Sequence, residues 1–208
     1  MNQPLIAGDS SRERGTTLLA LLALGATLLA GGTRFIDPDA WHQMALAREA
    51  LSSGSFPRVD PFAYTSSVVP LVHHEWGTGL VQYALLGWMG WAGFALLRDL
   101  LALGIGIACL LCARRRGATH PALWATLPVA VVMLWIGVTT VRAQMFTLFF
   151  LAWLLWLFEL DREGRRWWTL PWLAMYVLWA NLHGGFVVGA VAFAVYTLER
   201  AVRRRPVA

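Results

Sequence analysis

The chain has 208 residues, 58% of them hydrophobic and 14% charged, with a formal net charge of +5. All seventeen basic residues are arginines, and they stand beside apolar runs as membrane-topology signals do, so the charge is no footprint for nucleic acid. Apolar runs that approach or exceed the roughly 20 residues needed to cross a bilayer recur along the sequence, and the composition points to a polytopic membrane protein.

Residues 1–15 are polar and carry Arg12 and Arg14 just before the first apolar run. That run is long and lacks a small-x-small cleavage site, so it reads as an uncleaved transmembrane helix over 16–33 with the amino terminus in the cytoplasm. A long outer loop over 34–90 follows. Asp37-Pro38 is a helix-start signal, and Trp41, Met44, Ala45 and Arg48 follow at helical spacing until Gly54, which predicts a short helix lying on the membrane. Three prolines between Ser55 and Pro70 favour an extended connection. The run 76–90, with Trp76, Leu80, Tyr83 and Trp88 along one side, is short for a span and rich in tryptophan, as an interfacial helix would be.

Five further spans are expected within 91–200. The first, over 91–113, ends in Arg114-Arg115-Arg116; two more, over 121–138 and 143–160, are joined by a tight outer turn at 139–142. The last two are short and meet at a break over Asn181-Leu182-His183-Gly184-Gly185, before a basic tail over 201–208. Cys109 and Cys112 lie inside one of these apolar runs, facing lipid or a neighbouring helix, and have no second Cys/His pair with which to form a zinc site. With six spans and both termini cytoplasmic, twelve arginines fall inside, four (Arg34, Arg48, Arg58 and Arg142) fall outside, and Arg98 lies within a span, as the positive-inside bias requires. The reading is an all-α polytopic membrane protein of about six transmembrane helices, whose long first outer loop carries two interfacial helices.

The outer loop concentrates the reactive groups. It holds five of the twelve carboxylates and three of the five histidines. Asp37 and Asp39 can serve as a base toward a hydroxyl or hold a cation; equally, Asp37 can cap a helix and Asp39 complement its dipole. His42 lies three residues after Asp39, so an Asp39/His42 pair is geometrically allowed. His73, His74 and Glu75 cannot all face one site from a helix start; His74 or Glu75 is the candidate to orient a substrate, and a solvated cap is the alternative. Arg142, at the mouth of a span, suits a phosphate or snorkels to the interface. Asn181 and His183 either line a cavity or satisfy the backbone at a helix break.

The order of these landmarks resembles the amino-terminal module of GT-C type membrane glycosyltransferases. The resemblance rests on Asp37-Pro38-Asp39-Ala40-Trp41, Asp60-Pro61-Phe62-Ala63-Tyr64-Thr65, His74-Glu75-Trp76 and Trp179-Ala180-Asn181-Leu182-His183-Gly184-Gly185, and it is nearest in texture to uncharacterised bacterial members. It implies a protein of the bacterial inner membrane that moves a sugar from a polyprenyl-phosphate donor to an acceptor on the outer face, with inversion. In that reading Asp37 and Asp39 are catalytic, and His42, His74, Glu75, Arg142, Asn181 and His183 bind substrate. The partners implied are the lipid-linked donor, membrane lipids and other membrane subunits. The resemblance leaves a divalent cation open as cofactor. The metal-dependent oligosaccharyltransferases, however, carry a second acidic motif in a later outer loop, and the turn 137–142 has no carboxylate. Members are usually much longer, which fits a fragment, a split gene or a reduced homologue. The alternative is a non-catalytic scaffold subunit built on a truncated GT-C fold.

Overall fold

A computed structural model describes residues 35–65, 67–119 and 140–203, together with Gly15, Leu18, Leu19, Leu22, Ala23, Gly25 and Ala26. The predicted spans 16–33 (apart from six of those seven positions) and 121–138, and both termini, lie outside the described residues. Within them the chain is mostly helical: α1 (Pro38–Ser53), α2 (Trp76–Met89), α3 (Trp91–Arg115), α4 (Gln144–Arg162), α5 (Thr169–Leu182) and α6 (Phe186–Val202). One short 3-10 turn, Arg166–Trp168, precedes α5. Two of the helices, α3 and α4, are long and apolar enough to cross a membrane; at 25 and 19 residues they measure roughly 37 and 28 Å.

The all-helical expectation needs one correction. Phe35–Ile36 (β1) and Thr140–Val141 (β2) pair in parallel, Phe35 with Thr140 and Ile36 with Val141. Val141 is buried, so its backbone groups need protein partners, and the pairing supplies them. The pair ties the entry of α1 to the entry of α4.

α4 is the central helix. Phe146, Phe150, Leu154, Leu157 and Phe158 recur at helical spacing along its buried side. α3 runs parallel to it, with Gly104 beneath the Phe149 ring and Ala108 in one cluster with Ala152. α5 runs back along α4, so Trp168 meets Phe158 at one end and Trp179 stacks on Phe150 at 5.8 Å near the other. α6 returns beside both, and Tyr196 stacks on Phe158 at 4.1 Å. Outside this core, Leu100, Leu148, Leu155, Leu173, Val177, Val191, Val195 and Leu198 are exposed, an apolar belt interrupted on α3 by the Arg98–Asp99 pair.

α1 starts and stops where the sequence places it. Asp37 Oδ1 accepts the Asp39 N–H at 2.9 Å, Pro38 opens the helix and Gly54 ends it in a left-handed conformation. Ala40, Gln43, Met44, Leu46, Ala47 and Ala50 are buried, while Trp41 and Arg48 are exposed. The alanines on this face let α1 lie close against α2.

The same holds for α2. Its buried side is Gly77, Thr78, Gly79 and Gln82, and Trp88 is exposed. A side chain at Gly77 would come within 2.6 Å of the Asn181 carbonyl oxygen, and one at Gly79 would land on the Gln43 carbonyl. We therefore expect Gly77→Ala to weaken the α2/α5 contact by about 1–3 kcal/mol. Gly87→Ala, which meets nothing within 4 Å, should stay within about 0.5 kcal/mol of the parent. Unfolding in detergent measures both; equal midpoints would contradict this packing.

Candidate functional site at the entry ends of four helices

The strand pair places Asp37 and Arg142 side by side. Arg142 Nε lies 2.6 Å from Asp37 Oδ2, while Asp37 Oδ1 is spent on the helix cap. Both oxygens of Asp37 are thus engaged, one by a cation and one by a backbone N–H. The Asp39 carboxylate, one residue into the first turn of α1, makes no hydrogen bond or ion pair among the described residues and is exposed.

A second set of contacts joins α1, α2, α4 and the α5/α6 break. Gln43 donates through Nε2 to Glu75 Oε2, and Glu75 Oε1 stands 3.2 Å from His183 Nε2. On the other edge of the ring, His183 Nδ1 accepts the Gly185 N–H at 2.9 Å and lies 2.7 Å from the Thr147 hydroxyl. Because Nδ1 accepts a backbone N–H, the ring proton of neutral His183 sits on Nε2, facing Glu75. Thr147 therefore donates to Nδ1, and its oxygen in turn accepts the Trp179 indole N–H at 2.9 Å. The result is an ordered line from Trp179 through Thr147 and His183 to Glu75.

Burial is the main cause that raises the Glu75 carboxyl above its usual range; Asp39 and Asp37 add to it, and His74 opposes them. Burial also lowers the His183 imidazole, helped by the charges of His74 and Arg142. These mutual influences place Asp37, Asp39, His74, Glu75, Arg142 and His183 in one electrostatic neighbourhood. Asn181 closes it, accepting the Trp76 indole N–H at 3.0 Å, and the Thr78 hydroxyl donates to the Leu182 carbonyl. His74 lies against Gly184, where an added Cβ would come within 3.1 Å of its ring.

His42 belongs to a different group. The Asp39/His42 pair that helical spacing allows does not form; His42 Nε2 bonds Asp60 Oδ2 at 2.8 Å with Phe62 at its ring edge. Asp60 Oδ1 accepts the Phe62 N–H at 2.9 Å, so the Asp60-Pro61-Phe62 turn pins the extended segment to α1. His73, half-buried against Phe56, is lowered chiefly by burial and then by His42 and His74. Arg98 pairs with its neighbour Asp99 at 2.7 Å.

Sequence reasoning missed Gln43, Thr147 and Trp179. Thr147 was open to discovery as the lone hydroxyl in the apolar run from Met145 to Phe158. Among the described residues no group of three or more His, Cys, Asp or Glu side chains is placed to hold a metal ion. Asp37 faces a guanidinium instead, so the donors present do not fit a divalent cation. No family model, no curated protein and no solved structure matches the chain.

The lowered imidazoles set a pH dependence. The unfolded chain binds protons as pH falls through 6.5, while folded His183 and His73 resist until lower pH, so stability present above pH 6.5 is lost below it. We expect the unfolding midpoint to fall between pH 7.5 and 5.5, the raised Glu75 carboxyl opposing the trend, and His183→Gln to lessen that fall. An unchanged pH slope in the variant would contradict the assignment.

Proposed function

We propose that this chain is a GT-C type membrane glycosyltransferase module with six membrane spans in the bacterial inner membrane, its carboxylate cluster on the outer face. The observation that carries the reading is convergence: Asp37, Asp39, His74, Glu75, Arg142, Asn181 and His183 come from four separate stretches of sequence and meet at one end of the helices. The arginine clusters around Arg115, Arg162 and Arg200 meet at the other end, across the apolar belt. Helices α1, α2, α4 and α6 all begin at the carboxylate end, so their positive dipole ends favour an anionic group there.

In this reading the donor is a polyprenyl-phosphate sugar, whose tail lies in lipid and whose phosphate reaches Arg142. The acceptor hydroxyl oxygen bonds the anomeric carbon from the face opposite the phosphate, and the carbon–oxygen bond to phosphate breaks with its electron pair leaving on phosphate. The acceptor proton passes to Asp39, the carboxylate left unengaged. Asp37 holds Arg142 in place to offset the phosphate charge, and one displacement inverts the sugar carbon. Glu75, oriented by Gln43 and by a His183 ring that Thr147 fixes from behind, presents the remaining lone pairs of its carboxyl group to the sugar hydroxyls. No step passes through a metal.

Transfer from a radiolabelled polyprenyl-phosphate sugar by the purified chain tests the proposal. Asp39→Asn should lower the rate at least ~100-fold, the usual weight of a general base. Glu75→Gln should weaken donor or acceptor binding more than turnover. Equal rates for parent and Asp39→Asn would remove the catalytic reading, and co-purification with a stable partner in the absence of turnover would favour a scaffold subunit.

A further inference from the structure

A cavity of about 290 Å³ opens at the arginine-rich end, lined by Arg162, Glu199, Arg200 and Arg203. The proposed transfer reaction makes no use of it. It lies between the last turn of α4 and the last turn of α6, at the far edge of the apolar belt from the carboxylate cluster.

Its charges are unevenly matched. Arg162 reaches Glu159 at 3.0 Å and Glu199 at 3.2 Å, Arg203 reaches Glu199 at 3.1 Å, Arg200 reaches the buried Asp161 at 3.5 Å, and Arg116 reaches Glu159. Glu199 therefore serves both Arg162 and Arg203. The Tyr196 ring underlies Arg162 at 5.5 Å and Arg200 at 6.0 Å, which fixes the direction of both planar groups. Arg203 is 63% exposed and Arg162 36%, so an outside ligand reaches their N–H groups.

The cavity also adjoins an apolar track. Val188, Val191, Val195, Leu198 and Val202 are exposed along α6 at spacings of three and four residues, and the track ends beside Glu199 and Arg203. A ligand that meets both features has an anionic phosphate joined to hydrocarbon chains. We propose that this cavity binds the phosphodiester headgroup of an anionic glycerophospholipid of the arginine-side leaflet, with its acyl chains along α6. Arg162 and Arg203 give the phosphate charge-assisted hydrogen bonds, and Arg200, held by Asp161 and Tyr196, adds a third positive charge behind them. The inference rests on the chain lying in a membrane and is independent of sugar transfer.

Native mass spectrometry of the full chain, released from nanodiscs of equimolar phosphatidylglycerol and phosphatidylcholine, reads the site directly. At least fivefold preferential retention of one phosphatidylglycerol is expected. Arg203→Gln should cut that preference roughly fivefold, the worth of one arginine near an anionic headgroup. Arg162→Gln should act in the same direction, while Arg115→Gln, outside the cavity, should leave it unchanged. Far-UV circular dichroism and a single size-exclusion peak show that each variant is folded. Inorganic phosphate in millimolar excess should not displace the lipid. Equal retention of the two lipids, full retention by Arg203→Gln, displacement by inorganic phosphate, or stronger retention of a prenyl monophosphate at equal mole fraction would each overturn the proposal.

Discussion

The end of α5 is the point on which the rest of the molecule depends. A helix ends with carbonyl groups that have no intrahelical partner and need one from elsewhere. Here α2 supplies part of it: Thr78 donates to the Leu182 carbonyl, and the Trp76 indole donates to the Asn181 side chain. The approach is so close that only glycine fits at position 77. Gly185 is as tightly constrained on the other side, since a side chain there would reach within 2.6 Å of His183 Nδ1 and strike the Thr147 hydroxyl. The chain can therefore break between α5 and α6 only where α2 and α4 hold the break, and that arrangement turns His183 toward Glu75.

Charge at the two ends is handled differently. At the carboxylate end Asp37 is paired, Glu75 is half-buried with its ionised form disfavoured, and Asp39 is exposed, so three acids of like charge occupy three distinct environments. At the arginine end the carboxylates serve structure. Asp161, fully buried, accepts from the Trp168 indole at 2.8 Å and the Tyr196 hydroxyl at 2.6 Å, with Arg200 alongside. A buried acid so fully bonded ties α4, α5 and α6 together and has little capacity left for chemistry.

Local signals in the sequence carried the local structure. Asp37-Pro38 and Gly54 bounded α1, and the prolines around Phe56 to Pro70 marked a segment with no regular element. The inward faces of α1 and α2 were not legible, because close helix packing there draws largely on glycine, alanine and a few bonded polar groups, which carry little hydrophobic signal. Spacing along one helix allowed His42 a pair with Asp39, but the distant turn at Asp60, which the sequence did not connect to it, offers a carboxylate already aimed by its own backbone bond. The convergence of Arg142 on Asp37 needed the two-residue strand pair, which no periodicity in so short a stretch announces. Gln43 gave no sign of its role because it gains it only through Glu75, more than thirty residues away, whereas Thr147 stood out only as a lone hydroxyl in an apolar run.

The account stands on the carboxylate end and the arginine end facing opposite sides of one bilayer. Its most direct test places a single cysteine at Tyr64→Cys or at Thr119→Cys in a chain with Cys109 and Cys112 replaced by alanine, both positions being exposed. Intact expressing cells are then treated with a membrane-impermeant maleimide. Labelling at position 64 in intact cells, with labelling at position 119 only after permeabilisation, is the predicted result. Both positions labelled alike, or the reverse order, would contradict it.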